Sequence, residues 1–142
     1  MNNSSEMECR AELEITGYNL DVYKISNHLG FSIIKDRKPG DYSIVTEQGV
    51  VVKNNIRTRI NRWHYQTKQK FIEANDALTE LRLAFVDVMS DLLDILENGT
   101  DLKVDIYIVI YNTQNRIPSI YIDAQNILFA SQLGASIDFD IY

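Results

Sequence analysis

The sequence predicts an α+β fold: a two-layer sandwich in which helices cover one face of a mostly antiparallel sheet. Stretches such as 102–111 and 136–142 alternate apolar and polar residues, the period of a strand with one buried face. Across 71–96 the apolar residues recur at seven- and three-residue spacing, the period of a helix with one apolar stripe. A strand–helix–glycine–strand pattern occurs near both ends of the chain, around that helix. This duplication predicts a ferredoxin-like pairing of pseudo-duplicated βαβ units.

Residues 1–8, polar and acidic, are expected to form a flexible tail, with 9–142 a single α+β domain. Cys9, Ala11, Leu13 and Ile15 alternate with Arg10, Glu12 and Glu14, giving a half-buried first strand. Asn19 is placed to cap a helix carried by Val22, Ile25 and Leu29, and Gly30 stops it. Residues 31–34 and 42–46 read as short strands around a turn at 37–41, where Pro39 fixes φ and Gly40 admits a positive one. Val50, Val51 and Val52 suggest another strand, and so does the alternation of Ile56, Thr58 and Ile60 with Arg57 and Arg59. Phe71, Leu78, Phe85 and Leu92, each followed three residues on by an apolar residue, predict one long helix over 71–96, ended at Asn98–Gly99. Leu102, Val104, Ile106, Ile108 and Ile110 form one face of a strong strand. Pro118 is expected to open a further strand over 119–123, and Asp123 to cap the last helix, which ends at Leu133–Gly134. The final strand turns Ile137, Phe139 and Ile141 inward and Asp138, Asp140 and Tyr142 outward. It offers an edge that leaves homodimer pairing open.

At 142 residues, with 45% hydrophobic and 24% charged residues, the chain is long enough for one domain with its own core. Cys9 is the only cysteine, so no intrachain disulfide forms, as expected of a reducing compartment. The acidic start lacks the pattern of a signal peptide, and the longest apolar run, 106–111, falls far short of the ~20 residues a membrane helix needs. A cytoplasmic protein without a membrane partner is the expectation. Net charge is −6, unevenly spread. No acidic residue occurs over 48–72, which holds Lys53, Arg57, Arg59, Arg62, Lys68 and Lys70. Nine carboxylates occupy 73–105 against Arg82 and Lys103.

Ile15-Thr-Gly-Tyr-Asn-Leu-Asp21, Leu29-Gly30, Lys38-Pro-Gly-Asp41 and Trp63, with the closing Pro118-Ser-Ile and Leu133-Gly-Ala-Ser-Ile-Asp-Phe-Asp-Ile-Tyr142, together resemble a bacterial family known as domain of unknown function 4279. The resemblance spans roughly 13–142. One departure is the absence of a proline soon after Leu29-Gly30, where the chain reads Phe31-Ser-Ile-Ile-Lys35. The resemblance implies a small bacterial cytoplasmic domain and supplies no activity or catalytic residue. Some small acidic bacterial domains sit beside toxin genes as immunity proteins, an analogy only.

No motif carries enzyme chemistry. His28, His64 and Cys9 do not fall at metal-ligand spacing, and the carboxylates Asp87, Asp91 and Asp94 read as a solvated helix face; no metal or cofactor is expected. There is no Gly-x-Ser-x-Gly elbow or phosphate-cradling loop, and Cys9 points inward as an inert thiol. Two surfaces remain. The favoured one gathers Glu12, Glu14, Tyr107, Asp138, Asp140 and Tyr142, with Asp105 and Tyr111, on the uncovered sheet face. Acids there steer a basic protein partner and tyrosines supply contact area, as in an immunity-type inhibitor of a basic toxin. The alternative is the basic segment 53–70, in which Arg57, Arg59 and Arg62 would meet phosphates and Trp63 and Tyr65 would stack on bases. The acidic balance of the chain opposes nucleic-acid binding. An enzyme or small-ligand domain without a recognisable motif is the third possibility.

Overall fold

The computed structural model describes residues 6–18, 20–30, 34–38, 41–45, 50–55, 60–68 and 70–142, with the backbone alone given over 34–60. In chain order the elements are β1 (Glu8–Tyr18), α1 (Val22–Leu29), β2 (Ile34–Lys38), β3 (Asp41–Val45), β4 (Val50–Asn55), β5 (Ile60–Gln66), α2 (Ala74–Phe85), α3 (Met89–Asn98), β6 (Lys103–Tyr111), α4 (Ala124–Gln132) and β7 (Ser136–Ile141). The seven strands form one mixed sheet in the order β2-β3-β4-β5-β1-β6-β7, so the chain is α+β. Every neighbouring pair is antiparallel except β6 and β7.

β1 lies between β5 and β6, and its alternation decides the layering. Cys9, Ala11, Leu13 and Ile15 are buried and join Trp63, Tyr65, Ile106 and Ile108 in one core with Leu78, Leu81, Phe85 and Leu92 of the helices. Trp63 of β5 donates its indole N–H to the Ser26 hydroxyl of α1 at 2.9 Å and stands edge-on to Phe85 of α2 at 6.1 Å. α1 and α2 therefore cover the same face. α4 is fastened to α2 by buried Asn126, whose side-chain amide donates to Asn75 Oδ1 and Thr79 Oγ1, each at 2.9 Å, and accepts from Arg82 Nε at 2.9 Å. Among the described residues no helix is long and apolar enough to cross a membrane.

Several local expectations change. The helix expected over 71–96 is two, α2 and α3, joined by a 3₁₀ turn at Val86–Val88. The two β-branched valines have little χ1 freedom in a helix, and the break redirects α3 towards α1, where Asp91 meets His28 at 3.5 Å. Asp21, rather than Asn19, caps α1 by accepting from the Lys24 N–H at 3.0 Å; Asn19 lies outside the described residues. Residues 119–123 are not a strand. β6 already has β1 and β7 on its two sides, Pro118 offers no N–H, and the Asp123 N–H is taken by Asn75 Oδ1 at 2.9 Å. The closing unit thus lacks its first strand, and β1 and β2 of the opening unit are separated by three strands. β1 begins at Glu8, one residue before the expected domain start, and the strand expected over 31–34 enters the described residues only at Ile34.

Candidate functional site

The strand register determines which side chains share the face turned away from the helices, because residues opposite one another across a ladder project to the same side. Arg62, Thr16 and Lys103 form one row across β5, β1 and β6. His64, Glu14, Asp105 and Ser136 form the next, reaching β7. Then come Gln66, Glu12, Tyr107 and Asp138, and after them Arg10, Val109 and Asp140. Glu8 and Tyr111 close the face at the far end of β1. Five of the six expected partner-binding residues, Glu12, Glu14, Tyr107, Asp138 and Asp140, lie in these rows. The sixth, Tyr142, stacks on Tyr111 with ring centroids 5.6 Å apart.

The face is a charge network rather than a bare acidic surface. Arg10 Nη2 lies 2.6 Å from Glu12 Oε1 and its guanidinium sits 5.7 Å from the centre of the Tyr111 ring. His64 Nε2 is 3.2 Å from Glu12 Oε2, and its Nδ1 is 3.7 Å from Glu14 Oε2. The Nε2 atom is buried and forms no aligned hydrogen bond, so the Glu12 contact is a charge pair. Lys103 lies 3.5 Å from Asp105, and Lys70 reaches Glu8 at 2.9 Å.

This crowding shifts the titration of the central groups. Burial alone would hold the His64 imidazole neutral, but Glu12 and Glu14 outweigh it and push its pKa up to about 9. Burial also acts to raise Glu12, yet His64 and Arg10 bring its carboxyl below the ordinary range. His64 does the same for Glu14, against burial and helped by Arg62. Burial and the surrounding carboxylates raise the Tyr107 phenol. At neutral pH the centre is an imidazolium held between two carboxylates. Glu12, Glu14, His64, Asp105, Tyr107 and Asp140, with Thr16, Arg62 and Lys103 at one end, line a shallow polar basin of about 380 Å³.

Asp138 and Asp140 differ from this centre. Both are exposed on β7, and neither has an ion pair among the described residues. Every other carboxylate named in the rows has a cationic partner. His64 and Arg10, which hold the centre together, are not recognisable as site residues from the sequence. The only signal for His64 is parity: it alternates with Trp63 and Tyr65 and so must face away from the core.

The basic segment does not assemble as expected. Trp63 is fully buried, and Tyr65 is buried with its ring edge-on to Phe85 at 5.1 Å, so neither presents a face for a base to stack on. The period of the strand explains this, since it sends the aromatics to the core and Arg62 and His64 to the opposite face. Arg57 and Arg59 lie outside the described residues. Cys9 is buried, and burial raises its thiol pKa, which disfavours the reactive thiolate. Among the described residues no group of three His, Cys, Asp or Glu is arranged to hold a metal ion.

No curated protein and no solved structure matches the chain. Residues 7–142 match the family described as Domain of unknown function (DUF4279), nearly the whole length, and the chain belongs to that family.

Proposed function

We propose that this DUF4279 member is a non-enzymatic binding protein that holds a basic protein partner against the outer face of β5, β1, β6 and β7, as an immunity-type inhibitor would mask a cationic toxin. The observation that carries the reading is the pair Asp138 and Asp140. They are exposed, side by side on one face of β7, and without an ion pair among the described residues, next to acids that are already neutralised. Unpaired surface carboxylates accelerate encounter with a cationic partner, and fixed aromatics add contact area at small entropic cost. Tyr107 stands beside Asp138, and the stacked Tyr111–Tyr142 pair lies at the end of the same face.

The network around His64 supports the reading in a second way. Its ion pairs hold Glu12, Glu14 and Arg10 in place before a partner arrives, which lowers the entropy lost on binding. The alternative of a small-ligand domain draws on the polar basin and its shifted pKa values. It is the weaker reading because the charges at the basin's centre already neutralise one another in ion pairs. On the scale of the fold, helices packed against one face favour a two-layer sandwich. β5, the α2–α3 segment and β6, arranged around β1, favour a ferredoxin-like split unit. A buried thiol without a disulfide partner fits a cytoplasmic setting.

The test is co-purification of the tagged protein from its native cells after nuclease treatment, beside the double variant Asp138→Lys/Asp140→Lys. A stoichiometric basic protein should be retained by the wild type and lost by the variant. Retention of the same protein by both, or recovery of nothing but nuclease-sensitive material, overturns the proposal.

A further inference from the structure

Among the described residues β7 is the last strand of the sheet, with β6 on one side and no strand on the other. The Tyr142 N–H donates to the Ile110 carbonyl of β6 at 2.9 Å, and this bond fixes the phase of the strand. Main-chain groups alternate sides along a strand. Ser136, Asp138 and Asp140 therefore direct theirs to β6, and Ile137, Phe139 and Ile141 direct theirs outward, to the unpaired edge. An open edge of this kind is a template for another strand unless something forbids it.

The side chains decide what it accepts. On the outer face the edge carries Asp138 and Asp140, without ion pairs among the described residues. On the helix side it carries Phe139, partly buried, and Ile141, 49% exposed. A second copy of the chain is the wrong occupant. Two β7 strands pairing antiparallel about Phe139 would set Asp138 of each copy against Asp140 of the other, and like charges directly opposite destabilise a ladder. A strand alternating basic and apolar residues meets both faces correctly, with cations opposite Asp138 and Asp140 and apolar side chains beside Phe139 and Ile141.

Resting on the function proposed above, we infer that β7 is the docking edge, and that the partner adds an extended segment of alternating basic and apolar residues to the sheet as an eighth strand. Affinity then comes from main-chain hydrogen bonds to Ile137, Phe139 and Ile141, and selection comes from the two aspartates. The same two aspartates keep the edge from pairing with itself.

The experiment uses the 142-residue chain, isotopically labelled, and a synthetic seven-residue peptide alternating lysine and valine, with a block-sequence peptide of equal composition as control. Amide exchange is followed residue by residue. The inference expects the Ile137, Phe139 and Ile141 amides to exchange freely alone and to slow at least tenfold with the alternating peptide, but not with the control. It also expects about tenfold weaker binding in Asp138→Lys/Asp140→Lys, the scale of losing two charge contacts. If the peptide binds in an aspartate-dependent way while those three amides stay unprotected, the acidic face works without strand addition, and this inference fails while the proposed function stands. Slow exchange of these amides without peptide, rising with protein concentration, makes a second copy the occupant and also overturns it. No binding of the peptide overturns it as well, and the co-purification test then judges the proposed function separately.

Discussion

Replacing His64 by glutamine tests the central charge network, because it removes the cation shared by Glu12 and Glu14 while keeping a polar side chain of similar reach. The His64 side chain is 22% exposed and its pKa rises from 6.5 to about 9 in the folded protein. At ~1.36 kcal/mol per pKa unit that corresponds to ~3 kcal/mol of stability linked to this proton. The lowered pKa values of Glu12 and Glu14 report largely the same contacts from the other side, so they are not added. A raised folded pKa stabilises fully below the unfolded value of 6.5, and the stabilisation is lost as pH climbs through about 9. The carboxylates act in the opposite sense: their contribution is present above their ordinary 4.5 and lost as pH falls through their depressed folded values. The network is thus complete only between these limits. Urea unfolding at about pH 6, 8 and 10, followed by the fluorescence of the single, buried Trp63, should show a wild-type advantage over His64→Gln of ~3 kcal/mol at the lowest pH, closing towards zero at the highest. Subtracting the variant removes other groups that titrate in the range. An advantage that stays constant across the series, or a His64 imidazole titrating near 6.5 by NMR, refutes the reasoning.

Three further outcomes follow from packing. Ser26→Ala removes the hydroxyl that accepts the indole N–H of the fully buried Trp63 and should cost ~1–3 kcal/mol in urea unfolding, with altered Trp63 emission. Asn126→Ala removes the buried amide that ties α4 to Asn75, Thr79 and Arg82 and should cost ~2–4 kcal/mol, with faster amide exchange confined first to α4. Gly17→Ala brings a methyl group to 2.4 Å from Leu102 Cδ2, so the Leu102 side chain, which also lies beside Gly99, must shift. This variant should lose ~1–3 kcal/mol, and Leu102→Ala in the same chain should recover part of the loss, a coupling that a thermal double-mutant cycle measures.

Much of this protein is legible residue by residue. The alternation of Cys9, Ala11, Leu13 and Ile15 and of Val104, Ile106 and Ile108 marks β1 and β6, since a strand with one buried face cannot hide its period. Leu78, Phe85 and Leu92 mark the apolar stripe of the central helices even across the break at 86–88. The same parity places Glu12, Glu14, Tyr107, Asp138 and Asp140 on the outer face before any neighbour is known.

Neighbours are what periodicity cannot supply. Ile34, the one described residue of the strand candidate at 31–34, opens β2 at the far edge of the sheet, whereas the candidate at 119–123 is not a strand, because the sides of β6 are already occupied. Trp63, His64 and Tyr65 looked like one basic aromatic stretch until β5 docked on β1 and sent them to opposite faces. The sequence by itself determined which residues are buried along each element and that the whole is α+β, because burial is periodic and local. Tertiary structure alone decided that His64 lies between Glu12 and Glu14, that Arg10 closes the group, and that Asp138 and Asp140 stand on the last described strand without an ion pair among the described residues. Those facts depend on the register between β5, β1, β6 and β7, strands from distant parts of the chain, and on how many charges that register crowds into a few ångströms.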